Sequence, residues 1–205
     1  MIQLFLRIVL LAVLITPIIS SAQGSFTAVS KFQIDSYSLE YPTDWKYSTQ
    51  STPDGNTLHM FMGLEERNAM PYCHVTQQEL PPNLAPRLNK LNEAERRDFL
   101  LYNNANNKDL LFLIYDNLAT AQGFRLLHTN IVAIQKNTPA FLADFFFKVP
   151  QGFVYRVRSH YTFWPNAQLS IWCQAVAHSE IEADDAFQRN IANFQRFIAS
   201  IRIKQ

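Results

Sequence analysis

The sequence predicts an α+β fold in which helices pack on an antiparallel β-sheet. Three segments near the end of the chain, 140–149, 154–163 and 168–178, place apolar residues at alternate positions, as half-buried strands do. Short loops rich in turn-forming residues join them, which favours an antiparallel meander. An apolar stripe with helical spacing follows, and such a stripe must be buried against another element.

The first 22 residues have the pattern of a cleavable signal peptide. Arg7 precedes an apolar run that Pro17 interrupts, and Ser20 and Ala22 place small residues just before the expected cut. The alternative is an uncleaved membrane anchor, but this apolar stretch is short for a span, which needs about 20 apolar residues. We therefore expect a periplasmic or secreted protein that begins at Gln23 and has no stable membrane insertion after cleavage.

The remaining chain is expected to fold as one domain. Residues 23–36 are interpreted as a lead-in segment and residues 37–205 as a single α+β domain. Cleavage removes one charged residue, Arg7, so the formal net charge falls from +1 to zero. A neutral chain has no overall field that attracts nucleic acid, so no nucleic-acid partner is expected.

The elements before the meander are less regular. Alternation predicts strands, and mixed charge with apolar spacing predicts one helix. The predicted strands are 36–42, 57–63, 72–78 and 125–135, and the predicted helix is 91–104. The apolar stripe of the final helix consists of Phe187, Ile191, Phe194, Ile198 and Ile201.

The two cysteines are Cys73 and Cys173. Both lie on predicted strands and point to the face of their apolar neighbours, and an exported chain enters an oxidising compartment. A bridge between them is one expectation, and it would stabilise the fold by up to about 4.7 kcal/mol in the chain-entropy model. The alternative is two separate buried cysteines that act as small apolar residues.

Strand register suggests a candidate binding surface. If the apolar faces of the three strands stay together, one consistent register sets Arg158 opposite both Asp144 and Gln174. The other face then combines aromatic and cationic groups, as binding surfaces do. The candidate partner-binding residues are Phe146, Arg156, Arg158, His160 and Trp172. The alternative is that a helix or loop covers this face and that Asp144 and Arg158 form a structural pair.

Two stretches resemble the PsbP-like family of extrinsic photosystem II proteins and their bacterial relatives. They are YSLEYPTDWKY at 37–47 and the terminal FIASIRI at 197–203. The resemblance implies an α-β-α sandwich around an antiparallel sheet, and members of the family serve largely as non-enzymatic assembly, docking or binding modules. Residues 80–120 match no part of the family pattern.

The motif content favours binding over catalysis. None of the five histidines stands in a metal-binding or zinc-hydrolase motif, and no nucleophile elbow or nucleotide-binding loop is present. The sequence therefore predicts no catalytic residues, no metal and no cofactor. We expect an exported, non-catalytic binding or accessory protein whose partner is a protein or a small acidic or aromatic ligand. The alternative is a secreted hydrolase or effector whose site is assembled from scattered residues.

Overall fold

The computed structural model describes residues 28–52, 55–80, 85–106, 122–135, 138–164 and 167–204. The predicted signal peptide lies outside these residues. Strands and helices are numbered in chain order. The strands are β1 (Val29–Gln33), β2 (Tyr37–Pro42), β3 (Lys46–Ser51), β4 (Thr57–Met62), β5 (Met70–Glu79), β6 (Gln122–Gln135), β7 (Thr138–Lys148), β8 (Val154–Trp164), β9 (Ala167–Ala177) and β10 (Arg202–Ile203). The helices are α1 (Ala85–Leu88), α2 (Glu93–Asn106) and α3 (Glu180–Ser200).

Two antiparallel sheets organise the described part of the chain. The larger one has seven strands in the order β3-β4-β5-β9-β8-β7-β6, and the smaller one has the order β1-β2-β10. Helix α3 packs on one face of the large sheet and on β2, whereas α2 packs on the other face against β7 and β6. The large sheet is therefore buried on both faces, which confirms the expected α+β fold with an antiparallel sheet and packed helices.

The predicted meander is confirmed as β7, β8 and β9, and the other predicted elements are found with shifted ends. The alternation missed β1, β3 and β10. Strand β1 lies inside the segment interpreted as a lead-in, where it pairs with β2. Strand β3 carries mostly exposed polar residues at the edge of the large sheet, so it has no buried face to produce a period of two.

Helix α3 begins after an N-cap serine. Ser179 accepts a hydrogen bond from the backbone N–H of Glu182, and its hydroxyl donates to the Glu182 carboxylate. The predicted apolar stripe faces the sheet: the side chains of Phe187 and Phe194 have no solvent exposure. The helix contacts β9, β8 and β5, near the middle of the large sheet.

The cysteines form a disulfide between neighbouring central strands. Cys73 of β5 lies directly opposite Cys173 of β9, with their Cα atoms 4.0 Å apart, and both side chains are fully buried in the core beneath α3. The bridge joins positions 100 residues apart in sequence. This confirms the predicted pairing.

The predicted strand register is right on one side of β8 and wrong on the other. Asp144 of β7 lies opposite Arg158 of β8, as expected. Arg158 lies opposite Cys173, however, and not Gln174. The prediction assumed one apolar and one polar face, but helices cover both faces of this sheet. Apolar alternation alone therefore does not decide which residues of β8 and β9 point to the same side of the sheet.

Truncation of Phe194 tests the role of α3. We expect Phe194→Ala to lower the free energy of unfolding by about 3–5 kcal/mol, because it removes a fully buried ring and leaves a cavity. The matched control is Ile181→Ala in the same helix, where 83% of the residue is exposed and the change should stay below about 0.5 kcal/mol. Urea denaturation measures both values, and equal effects of the two substitutions would contradict the packing of α3.

Candidate functional site

Arg156 is buried between β8 and α3. Its Nε donates to Asp184 Oδ1 over 3.1 Å, and its Nη1 donates to the backbone carbonyl of Val157. The guanidinium carbon also lies 4.4 Å from the centre of the Phe187 ring and 5.3 Å from that of Phe146. An arginine that is 5% exposed needs such partners, because burial of an unpaired charge is costly. Asp184 of α3 is thus the ionic partner of Arg156 of β8.

Asp144 and Arg158 form a bidentate pair beside it. Nε and Nη2 of Arg158 donate to the two carboxylate oxygens of Asp144 over 2.9 and 2.8 Å. The pKa of Arg158 is raised, chiefly because these hydrogen bonds favour the charged form. Asp144 is 5% exposed and also lies 3.9 Å from Nη1 of Arg156. The opposite charges on this face of the sheet therefore compensate each other beneath the helix.

His160 follows on the same face of β8. It is 4% exposed, and burial lowers its pKa to about 4, with the positive charge of Arg158 adding to the effect. Its Nδ1 is buried and has no hydrogen-bond partner among the described residues. The imidazole is therefore neutral at pH 7 and keeps an unused polar atom in the interior.

A cleft of about 750 Å³ opens beside these residues. Helix α3 lies over β8 and β9. Strands β6 and β7 lie beside the covered part of the sheet and form the floor of the cleft. The wall on the other side is the last two turns of α3 and the first residue of β10. The polar lining residues are Gln135, Arg158, His160, Gln195 and Arg202, and the rest of the lining is mainly aliphatic.

Trp172 lies on the opposite face of the large sheet. It is opposite Ser159 in β8, and its ring makes an edge contact with Phe145 and stacks on His74. Its Nε1 donates to the hydroxyl of Ser170 over 2.9 Å. Trp172 therefore cannot share a surface with Arg156, and the single surface predicted from the sequence does not exist.

The structure separates the five predicted binding residues into three groups. Arg156 and Phe146 are buried beneath α3, Arg158 and His160 line the cleft, and Trp172 belongs to the other face. The alternative, that a helix covers this face and that Asp144 and Arg158 pair, describes Arg156 and Phe146, which α3 covers. That some of these residues bind a partner remains a prediction.

Sequence reasoning missed Gln195, Ile198 and Arg202 as cleft residues. Ile198 was assigned to the apolar stripe, which was correct, and Gln195 stands next to the stripe in α3. Residue spacing in the sequence could not place them near β6, because their placement depends on where the helix lies relative to the edge of the sheet.

Neither a metal centre nor a membrane span is found in the described residues. No three His, Cys, Asp or Glu side chains in those segments are grouped so that they could hold a metal ion. Among the helices described, none is long and apolar enough to cross a bilayer.

Solved structures resemble this arrangement. Cyanobacterial PsbP (CyanoP) from Synechocystis sp. PCC 6803 matches 92% of this chain and 99% of its own, with a TM-score of 0.56 and 13% sequence identity. The fold is PsbP-like. The Ran-binding protein Mog1p of Saccharomyces cerevisiae matches 86% of this chain and 95% of its own, with a TM-score of 0.51 and 12% identity. No protein-family model matches the sequence, and no curated protein matches it.

The PsbP-like fold confirms what the two sequence stretches implied about the architecture. At 12–13% identity the likeness concerns the fold alone. The function of this chain must therefore be argued from its own residues.

Removal of the Asp144 carboxylate tests the charge compensation beneath α3. Asp144→Asn leaves Arg158 without its ionic partner, and we expect a loss of about 3 kcal/mol in the free energy of unfolding. The control is Glu40→Gln, which breaks the exposed Lys31–Glu40 pair and should cost less than about 1 kcal/mol. Both are measured by urea denaturation at pH 7. A loss at Asp144 no larger than the loss at Glu40 would show that the pair contributes no more than a surface ion pair.

The buried histidine predicts a pH dependence. The folded-state pKa of His160 is about 4 and an unfolded-state histidine has a pKa of about 6.5, so the unfolded chain binds more protons between these values. The free energy of unfolding should therefore fall as the pH drops from about 6.5 to about 4, by at most about 1.4 kcal/mol per pH unit for one histidine. Burial also lowers the pKa of His74 to about 4, so its contribution adds to that of His160.

His160→Gln isolates the share of this residue. Denaturation at a series of pH values should give a slope that is shallower than in the parent protein around pH 5, while the share of His74 remains. An unchanged slope would mean that His160 is accessible to protons in the folded state.

Proposed function

We propose that this protein is exported and acts outside the cytoplasm as a non-catalytic binding or accessory protein. The main support is the disulfide between Cys73 and Cys173, which is buried between two central strands. Disulfides persist in oxidising compartments and are rare in the cytosol. The signal-peptide pattern of residues 1–22 supports the same location independently.

The PsbP-like fold supports an accessory role. Mog1p, which shares this fold, is a Ran-binding protein, and protein binding is therefore one use of such a scaffold. For this chain the partner class is a protein or a small acidic or aromatic ligand. We assign the binding role to the cleft that contains Arg158 and His160, since these are the predicted binding residues that reach one concave surface.

Production of the C-terminally tagged protein in its native host tests export. Intact mass should show a chain that begins at Gln23, in the periplasmic or culture fraction, and alkylation should find no free thiol. The control is Leu11→Arg, which places a charge in the apolar run and should leave the precursor unprocessed in the cell.

A protein that retains Met1 and sediments with membranes would contradict export. Two alkylated cysteines in protein taken from its native compartment would contradict the oxidising location. Crosslinking of the exported form followed by affinity purification then tests the accessory role, and a catalytic turnover of any co-purified molecule would overturn it.

A further inference from the structure

We propose that the cleft between α3 and strands β6, β7 and β8 binds a small monocarboxylic acid with an apolar body. This inference rests on the proposed binding function and names the ligand class of its site. The cleft volume of about 750 Å³ lies within the range of small-molecule sites, about 300–1,000 Å³.

The walls of the cleft select an apolar body. Ile134 of β6, Leu142 of β7 and Ile198 of α3 present aliphatic side chains from three different elements. Ile134 and Ile198 are themselves 4% and 7% exposed, so their positions are fixed by core packing. Val132 and Leu142 of the same lining remain partly exposed, and a ligand with a hydrocarbon chain or ring would cover them and release water from them.

His160 provides the second, independent observation. It lines the cleft, is 96% buried, and its Nδ1 has no partner in the described segments. Buried polar atoms in folded proteins are nearly always hydrogen-bonded, so an unpartnered one in a residue that lines a cleft points to a ligand group that the ring meets when it turns towards the cleft. A neutral imidazole can donate to a carboxylate oxygen through its N–H.

The charge balance selects a single negative group. Arg158 is neutralised by Asp144, and no acidic side chain among the described residues lines the cleft. Arg202 stands at the rim, where its Nη1 donates to the backbone carbonyls of Ala199 and Ile201. No carboxylate in the described part of the chain pairs with it.

One uncompensated guanidinium beside a neutral histidine suits a monoanion better than a phosphate ester. A dianion would leave excess charge against aliphatic walls, which is unfavourable. Arg202 has donors besides Nη1, and an arginine can hold a carboxylate through two of them.

Titration of the purified protein with octanoate tests this assignment. The readout is the NMR signal of the His160 ring in histidine-labelled protein, which should shift in a saturable way while the rings of His59 and His178 do not move. Phenylacetate is the aromatic probe of the same class. 1-Octanol has the same chain without the charge and should bind at least about tenfold more weakly, because a charge-assisted hydrogen bond is lost.

Three variants sharpen the result. Arg202→Gln should weaken octanoate binding at least about tenfold. Arg189→Gln removes the same charge from α3 at a residue that pairs with Asp185, outside the cleft lining, and should leave the affinity unchanged. Ala199→Trp places a bulky ring at an exposed lining position and should abolish binding without a change in melting temperature.

The assignment is overturned if neither acid shifts the His160 signal, if 1-octanol binds as well as octanoate, or if Arg189→Gln and Arg202→Gln weaken binding equally. These failures are separable from failure of the proposed function. A chain processed at Gln23 with an intact disulfide but no His160 shift would refute the ligand class alone. Octanoate binding by a chain that stays unprocessed would refute export alone.

Discussion

Helix α3 lies across the central strands of the large sheet, and this packing determines which charged side chains are buried and need an ionic partner. Strand β8 presents Arg156, Arg158 and His160 to the helix at successive inward positions. Two of these are compensated, Arg156 by Asp184 of the helix and Arg158 by Asp144 of β7, whereas His160 stays neutral. The contact of the Arg156 guanidinium with the Phe187 ring lets an ionic network lie within an apolar core.

The same packing explains why the cleft lies at one side of the helix. A single helix does not cover a seven-stranded sheet, and α3 is placed over β8 and β9 by its buried phenylalanines. Strand β6 is an edge strand with three irregularities in its pairing to β7, and such irregularities bend a strand and increase its twist. The space between the helix and this edge strand is bounded by core residues, so the cleft has fixed walls rather than loops.

Some strand registers could be predicted from the sequence and others could not, and the residue pattern of each strand explains the difference. The pairing of β7 with β8 was predictable because keeping the apolar faces of the two strands together fixes the parity of their register, and one consistent register sets Asp144 opposite Arg158. The pairing of β8 with β9 was not, because both faces of β9 are apolar enough to be buried, with Trp172 on one face and Ile171 on the other. A disulfide was predictable as a possibility, because both cysteines lie on the apolar faces of their strands and an exported chain enters an oxidising compartment. The pairing of β5 with β9 then sets Cys73 directly opposite Cys173.

The cleft itself depends on the end of the chain, which alternation could not reveal. Strand β10 has two residues, too few for a periodic pattern, yet it pairs with β2 and its Ile203 N–H donates to the side chain of Gln135 in β6. Because successive residues of a strand point to opposite sides, burial of Ile203 directs Arg202 outwards, at the rim of the cleft. The position of Arg202 is therefore set by the pairing of β10 with β2 and by the hydrogen bond from Ile203 to the Gln135 side chain of the large sheet, and not by a motif around the arginine.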